Sequence, residues 1–275
     1  MSPFQPSVGS IPIALTIAGS DSGGGAGIQA DLRTFAFHRV HGTSALTCVT
    51  AQNTLGVDRV DPLPPEAVVA QMDAVISDMG VQAAKTGMLL NAGIMKAVAL
   101  QVQRSGLAPL VVDPVMVSRA GVQLIDDTAI SVLKTQLIPL ATILTPNRYE
   151  AQILSGVEIH TLADMAEAAR RILELGCGAV VVKGGGFSHD LKGVDLWWDG
   201  VEEMVFKTEC VDTPHTHGTG CTLSAAIVAN LALGQSLKTA VGHAKEYVTQ
   251  ALHHSLAIGK GQGPVGHFFP LLSGS

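Results

Sequence analysis

Two kinds of stretch alternate along this chain: short runs apolar at almost every position, and longer ones whose apolar residues recur every three or four positions. Ile13–Ala18, Ala45–Thr50, Val81–Lys85, Leu110–Asp113, Ala141–Leu144 and Ala179–Lys183 are of the first kind. A strand enclosed between helix layers has no wet face, so it reads as a continuous apolar run rather than an alternation. Ile28–His38, Pro65–Met79, Ala92–Arg104, Thr128–Leu137, Asn147–Leu154 and Ala163–Leu175 are of the second kind, with Pro64-Pro65, Gly176 and Gly178 marking helix starts and stops. This βα rhythm predicts an α/β fold, a three-layer sandwich with a central, mostly parallel sheet and helices on both faces. After Lys192 the rhythm changes. Val194–Trp198 and Glu203–Lys207 flank Asp199-Gly200 and predict a hairpin, and two long helices over 219–233 and 236–257 follow. No linker, repeat or low-complexity block interrupts the pattern, so residues 1–275 read as one domain with 1–10 as a flexible lead.

With 275 residues, 47% hydrophobic and 15% charged, the chain can bury a large core and lacks a disordered composition. Its 17 Lys and Arg against 23 Asp and Glu leave a net charge of −6 without a basic cluster. A nucleic-acid partner, which needs phosphate neutralisation, is therefore not expected. The apolar run Ile11–Ala18 has no basic residue ahead of it, Arg33 being the first, so it does not read as a signal peptide. No run approaches the roughly 20 apolar residues of a membrane-spanning helix. Cys48, Cys177, Cys210 and Cys221 show neither CxxC nor Cys/His ligand spacing, and read as reduced thiols of a cytoplasmic protein rather than zinc ligands.

Ligands of open α/β sheets bind beyond the carboxyl ends of the strands. Polar, glycine-rich punctuation falls there: Gly19-Ser20-Asp21, Gln52-Asn53, Lys85-Thr86-Gly87, Asp113-Pro114, Thr145-Pro146-Asn147 and Lys183–Gly186. The five glycines of Gly19–Gly27 either admit a ligand close to the backbone or make a tight turn. Gly25–Ala30 spells the dinucleotide pattern G-x-G-x-x-A, yet the second strand ends in Thr50-Ala51-Gln52 without the ribose-binding carboxylate, and no Walker A loop exists. Thr213–Cys221 (TPHTHGTGC) runs straight into a helical pattern. Gly218 and Gly220 let N–H groups converge, and a helix start adds unpaired donors and a positive dipole end. That combination makes an anion hole suited to a phosphoryl group; the plainer reading is an N-cap at Thr216 or Thr219. Cys221, in the first turn, is expected to have a lowered thiol pKa. Asn147 and Glu150 share a face at a helix start and could hold hydrated Mg²⁺, with Asp113 a further candidate, or could simply cap the helix. Lys85 and Lys183 end strands and read as phosphate binders or as snorkelling surface side chains.

Taken together, ALTIAGSDSGGGAGIQADLRTF (14–35), TAQNTLGV (50–57), AAKTGML (83–89), VVDPVMV (111–117), ILTPNRYEA (143–151), VVVKGG (180–185), THGTGCTLSAA (216–226) and GKGQGPVGHFF (259–269) resemble one family closely. It is that of the hydroxymethylpyrimidine/phosphomethylpyrimidine kinases of thiamin biosynthesis, within the ribokinase-like superfamily. The resemblance implies ATP-dependent phosphorylation of 4-amino-5-hydroxymethyl-2-methylpyrimidine, and then of its monophosphate, at one site. It implies that Gln52 pairs with the pyrimidine, an amide matching an aminopyrimidine edge. Gly19, Asp21, Ala26, Met88 and Val115 would line the pocket. Backbone N–H groups of Gly218, Thr219, Gly220 and Cys221 would hold the transferring phosphoryl group. Cys221 stands where most of the superfamily carries an Asp base and would sit by the acceptor oxygen. Lys183 and Thr216 match nucleotide contacts, while Asp113, Asn147 and Glu150 match a Mg²⁺-water network. Relatives suggest a homodimer. Arg119 and Val122 depart from the family's usual lysine and polar residue near the expected phosphate side. The nearest alternative is a pyridoxal or pyridoxine kinase on the same scaffold. Others are a cysteine hydrolase using Cys221 and His217, for which no orienting acid is evident, and a non-enzymatic pyrimidine binder.

Overall fold

Adjacent residues of a strand point to opposite faces of its sheet, and in the central strands both directions end in apolar packing. Leu110 and Val112 pack with Leu15, Ile17, Val180 and Val182 on one side, whereas Val111 packs with Ala14, Ala83 and Val181 on the other. The computed structural model describes residues 11–116, 125–187 and 190–272. The expected flexible lead over 1–10, and Arg119 and Val122, lie outside the described residues. Strands β1 (Ile13–Asp21), β2 (His41–Gln52), β3 (Val57–Pro62), β4 (Ala83–Thr86), β5 (Leu110–Val112), β6 (Ile143–Leu144), β7 (Val180–Val182), β8 (Val194–Trp198) and β9 (Glu203–Lys207) form one sheet. Their order is β3-β2-β1-β4-β5-β6-β7-β8-β9, parallel from β2 through β7 and antiparallel at both edges.

Helices α2 (Pro65–Asp78), α3 (Ala92–Ser105), α4 (Asp127–Val132), α5 (Arg148–Ser155) and α6 (Leu162–Leu173) cover one face through residues such as Met72, Ile94, Val132, Ala151 and Ile172. The other face carries α1 (Gly27–Phe37), α7 (Thr219–Ala232) and α8 (Leu237–His253) through Phe35, Ile227 and Ala244. This is the predicted three-layer α/β/α sandwich. Its helix starts obey the usual chemistry: Asn91, Asp126, Asn147, Thr161 and Ser236 cap α3, α4, α5, α6 and α8 with side-chain oxygens, and α2 starts on Pro65. The N-cap positions of α1, α2 and α7 are Ala26, Pro64 and Gly218, which have no side-chain cap to give.

Three differences from the sequence-based pattern have physical causes. The strand β3 was not expected, because all six of its residues are exposed and it hangs on the sheet edge beside β2. The helix expected over Thr128–Leu137 is α4 followed by a wider turn at Leu133–Leu137 and a tighter one at Ile138–Leu140, where Pro139 ends it. The last helix stops at His253 rather than 257, since the Leu256 N–H is taken by the Pro264 carbonyl at 2.9 Å.

Lys85 corrects another expectation. Register pairs it with Thr16 of β1, so its side chain faces α1 rather than the rim. Its Nζ lies 2.7 Å from Asp31 Oδ1 with both side chains fully buried, Thr16 donates to Asp31 Oδ2 at 2.6 Å, and the Cys221 carbonyl lies 3.4 Å from Nζ. Lys85 therefore ties the sheet to α1 and α7 and is no snorkelling phosphate binder. Removing one partner of a buried pair strands the other charge. Lys85→Met should lower the unfolding free energy in urea by about 3–5 kcal/mol, and adding Asp31→Asn should recover much of that loss.

Candidate active site

The glycine-rich loop after β1 is organised by one carboxylate. Asp21 Oδ1 accepts from Gly23 N at 2.8 Å, and Oδ2 accepts from Gly25 N at 3.0 Å and Ala26 N at 2.8 Å. Asp21 thus spends the amides that lead into α1 internally. The same Oδ2 lies 2.8 Å from His217 Nε2. Burial works against the charge, but His217 and the amides of Ala26 and Gly23 hold this carboxyl below its ordinary value. Asp21 is accordingly a structural anchor of the loop, nearly buried at 3% exposure.

The loop before α7 comes up against that anchor. Gly218 adopts φ +84°, and a Cβ there would sit 1.8 Å from the Gly25 carbonyl. A side chain at Gly25 would likewise meet the His217 ring. The chain behind is pinned by the glycine-rich tail, with His217 N donating to Gly263 O at 3.1 Å and Val265 N to His217 O at 3.2 Å. Neither Thr216 nor Thr219 caps the helix; Gly218 holds that place, and the Thr219 hydroxyl and amide both turn back to the Thr216 carbonyl. The first turn of α7 therefore keeps its N–H groups free of any side-chain cap.

Gln52 stands across from this turn. Its backbone is clasped by Ser22, whose hydroxyl donates to Gln52 O at 2.7 Å and accepts from Gln52 N at 2.8 Å. Its side-chain amide lies within 3.2 Å of Thr50 Oγ1 and 3.4 Å of His217 Nε2. Gly19 packs against Cys48 and Met88 behind the loop, and Thr47 holds the Met88 carbonyl at 2.7 Å. Val115 lies further along the rim, on a cavity of about 10 Å³ shared with Thr86 and Asp113.

On the far side of the turn is a charge cluster. Lys183 Nζ lies 3.0 Å from Asp113 Oδ1, and Ser224 of α7 donates to Asp113 Oδ2 at 3.2 Å. A Cβ on Gly220 would come 3.4 Å from Lys183 Nζ, so this cluster abuts the turn directly. Asn147 and Glu150 join it through a bridge between Asn147 and Lys183. They also form the capping box of α5: Asn147 Oδ1 accepts from Glu150 N at 3.0 Å and Glu150 Oε2 from Asn147 N at 2.8 Å. Burial works to raise Asp113, yet Lys183 and Lys85 hold it below its ordinary value. Burial pushes Glu150 up to about 7, against the pull of Lys183.

Cys221 lies between the two groups and differs from expectation. Burial pushes its thiol up to about 11, against the pull of Lys85, instead of toward neutrality. The helix dipole loses to desolvation here. The orienting acid missing from the hydrolase alternative is in fact present, as Asp21 on His217, but it occupies the Nε2 of that ring. A protonated thiol is not the thiolate that a hydrolase needs. A trough of about 380 Å³ between α4 and α5, lined by Ile130, Lys134 and Ile153, contains none of the residues the sequence singled out.

Residues 21–266 match the family model described as phosphomethylpyrimidine kinase. A hydroxymethylpyrimidine/phosphomethylpyrimidine kinase of Synechococcus elongatus is 64% identical over 265 residues, 95% of this chain and 99% of the relative. The ADP complex of Bacillus subtilis pyridoxal kinase superposes with a TM-score of 0.90 at 42% identity, covering 96% of this chain and 100% of that one. A phosphomethylpyrimidine kinase from Clostridium difficile does so with a TM-score of 0.80 at 41% identity, over 88% and 99%.

Glu150 generates a pH dependence. Its carboxyl moves from 4.5 to about 7 on folding, so the native state keeps a proton that the unfolded chain gives up. The associated stability is complete below pH 4.5 and is lost as pH rises through 7. Urea unfolding of the ligand-free protein in a chelator should show Glu150→Gln gaining on the order of 2–3 kcal/mol relative to the parent between pH 5 and pH 8.

Proposed function

The chain belongs to the phosphomethylpyrimidine kinase family, and we propose that it transfers the terminal phosphoryl group of ATP to 4-amino-5-hydroxymethyl-2-methylpyrimidine and then to the resulting monophosphate. One observation carries this reading: the start of α7 is left without a side-chain cap, with an amide-bearing side chain on one side and a lysine–carboxylate cluster on the other. Gln52 reads the ring, and Gly19, Ala26, Met88 and Val115 shape its surroundings. Asp21 acts at one remove, by fixing the loop that carries them.

Phosphoryl transfer depends mainly on alignment and on neutralising charge spread over the phosphoryl oxygens. The N–H groups of Gly218, Gly220 and Cys221 supply fixed donors at the helix start, needing no reorganisation as charge develops, and that of Thr219 joins them by leaving its long 3.3 Å bond to the Thr216 carbonyl. Lys183, a point charge held by Asp113, faces the nucleotide phosphates together with Thr216. Cys221 keeps its proton at neutral pH, so it positions the acceptor hydroxyl rather than acting as a standing base. Lys183 and Lys85 act on Asp113 while Glu150 beside them is held protonated up to about pH 7, and a cation there would favour the ionised form of Glu150. The described residues contain no group of three His, Cys, Asp or Glu side chains able to cage a metal. Asn147, Glu150 and Asp113 would therefore hold Mg²⁺ through its waters, where it would neutralise nucleotide phosphate charge. The exposed edge β3, with Val57 and Val60 beside Leu55, supports pairing into a homodimer. Four free cysteines support a reducing, cytoplasmic setting.

ADP release tests the reading, with the pyrimidine, its monophosphate and pyridoxal as acceptors. Release should require the pyrimidine, with kcat/KM above that for pyridoxal by about tenfold or more. A hundredfold preference for pyridoxal would assign the site to vitamin B6 instead, and binding without turnover would leave only a sensor. Cys221→Ser should lower kcat by roughly tenfold at nearly constant KM.

A further inference from the structure

Proton counting around Gln52 leads beyond its role as a ring reader. Its amide sits between Thr50 Oγ1, 3.2 Å from Oε1, and His217 Nε2, 3.4 Å from Nε2. An amide's oxygen and nitrogen exchange places by a half-turn, and their neighbours decide which arrangement holds. Thr50 owns one hydroxyl proton and donates it to the Ser20 carbonyl at 2.7 Å. Toward Gln52 it therefore offers only lone pairs. His217 Nε2 lies 2.8 Å from Asp21 Oδ2, which also accepts from the Gly25 and Ala26 amides. Facing that ionised carboxylate, Nε2 must carry a proton; Asp21 takes most of it, and the protonated nitrogen has no lone pair to accept from the Gln52 NH₂ 3.4 Å away, whereas a carbonyl there shares the proton. Both neighbours call for the half-turn: the NH₂ of Gln52 toward Thr50, and its carbonyl toward His217.

We propose that Asp21, His217 and Thr50 lock the Gln52 amide in this single orientation, which makes His217 a positioning residue that sets the ring edge the site accepts. The locked amide keeps one N–H and one carbonyl lone pair for the substrate, in fixed order. A 4-aminopyrimidine edge presents a ring-nitrogen acceptor beside an amino donor and fits that order one way round. A 4-oxopyrimidine edge presents an N–H beside a carbonyl; it needs the amide turned over, against both neighbours at once. Freed of the lock, Gln52 could serve either edge. The inference rests on the reading of Gln52 as the ring-binding amide.

The test is the ratio of kcat/KM for 4-amino-5-hydroxymethyl-2-methylpyrimidine to that for its 4-oxo analogue. It is measured in the parent protein, Gln52→Ala, His217→Leu, His217→Gln and Thr50→Val. The parent ratio should be about 1,000-fold or more, since a misplaced hydrogen-bonding edge leaves buried polar groups unpaired. His217→Leu and Thr50→Val should each shrink it by about tenfold or more, because the oxo analogue does not lose activity in step. His217→Gln, whose amide N–H can replace Nε2–H, should restore it. Thr50→Val, close to isosteric and away from the α7 loop, keeps the test available if His217→Leu fails to fold. A ratio unchanged in Thr50→Val or in folded His217→Leu overturns the lock, and with a collapsed ratio in Gln52→Ala it leaves the ring-binding role standing. An unchanged ratio in Gln52→Ala removes that role and the lock together.

Discussion

Two glycine loops meet main chain to main chain, and the rest of the site is arranged around that contact. Gly218 presses on the Gly25 carbonyl at a distance that admits no side chain, and the bond from His217 to Asp21 closes the same seam from the side. One loop ends the first strand and the other starts the penultimate helix, nearly two hundred residues later in the chain (21 against 217). Their apposition is what brings Gln52, on one side, within reach of a helix start whose other side borders Lys183 and Asp113.

The two helix starts that meet there are treated in opposite ways. The amides before α1 are consumed by Asp21, which converts a flexible glycine run into a rigid wall. Those of α7 have no side-chain cap, and apart from the Thr219 amide, which turns back to the Thr216 carbonyl, they are placed to receive an anion. Beneath both lies a buried ion pair, Lys85 with Asp31, that contacts the Cys221 carbonyl and fixes the turn from inside. Such a pair contributes little net stability, and here its geometry serves placement. A carboxyl of the far cluster does double duty in the same spirit: Glu150 completes a capping box while bordering the Lys183 cluster.

Much of this was legible in the chain. Apolar runs such as Leu110–Val112 marked doubly buried strands, and the glycines of 19–27 and 218–220 marked the rim. Long-range pairings were not legible, because nothing local announces them. That Asp21 would face His217, or that Lys85 would turn inward to Asp31, depends on register between distant strands and helices. The strand β3 escaped notice because an exposed edge needs no apolar pattern. Cys221 misled for a different reason: a helix start argues for a lowered thiol pKa, and only packing reveals that desolvation outweighs it. For Asn147 and Glu150 the spacing allowed either a cap or a cation site, and the structure makes them a cap that still borders the Lys183 cluster.

The loop contact can be tested against a matched control. Gly218 and Gly234 have nearly the same left-handed backbone, φ +84° and +81°, but a Cβ at Gly234 meets nothing within 4 Å. Alanine at either costs about 1–2 kcal/mol of backbone strain, so only the collision with Gly25 separates them. The account predicts that Gly218→Ala loses at least about a hundredfold in kcat/KM for ADP release while Gly234→Ala stays near the parent value. Equal activity in the two would contradict it.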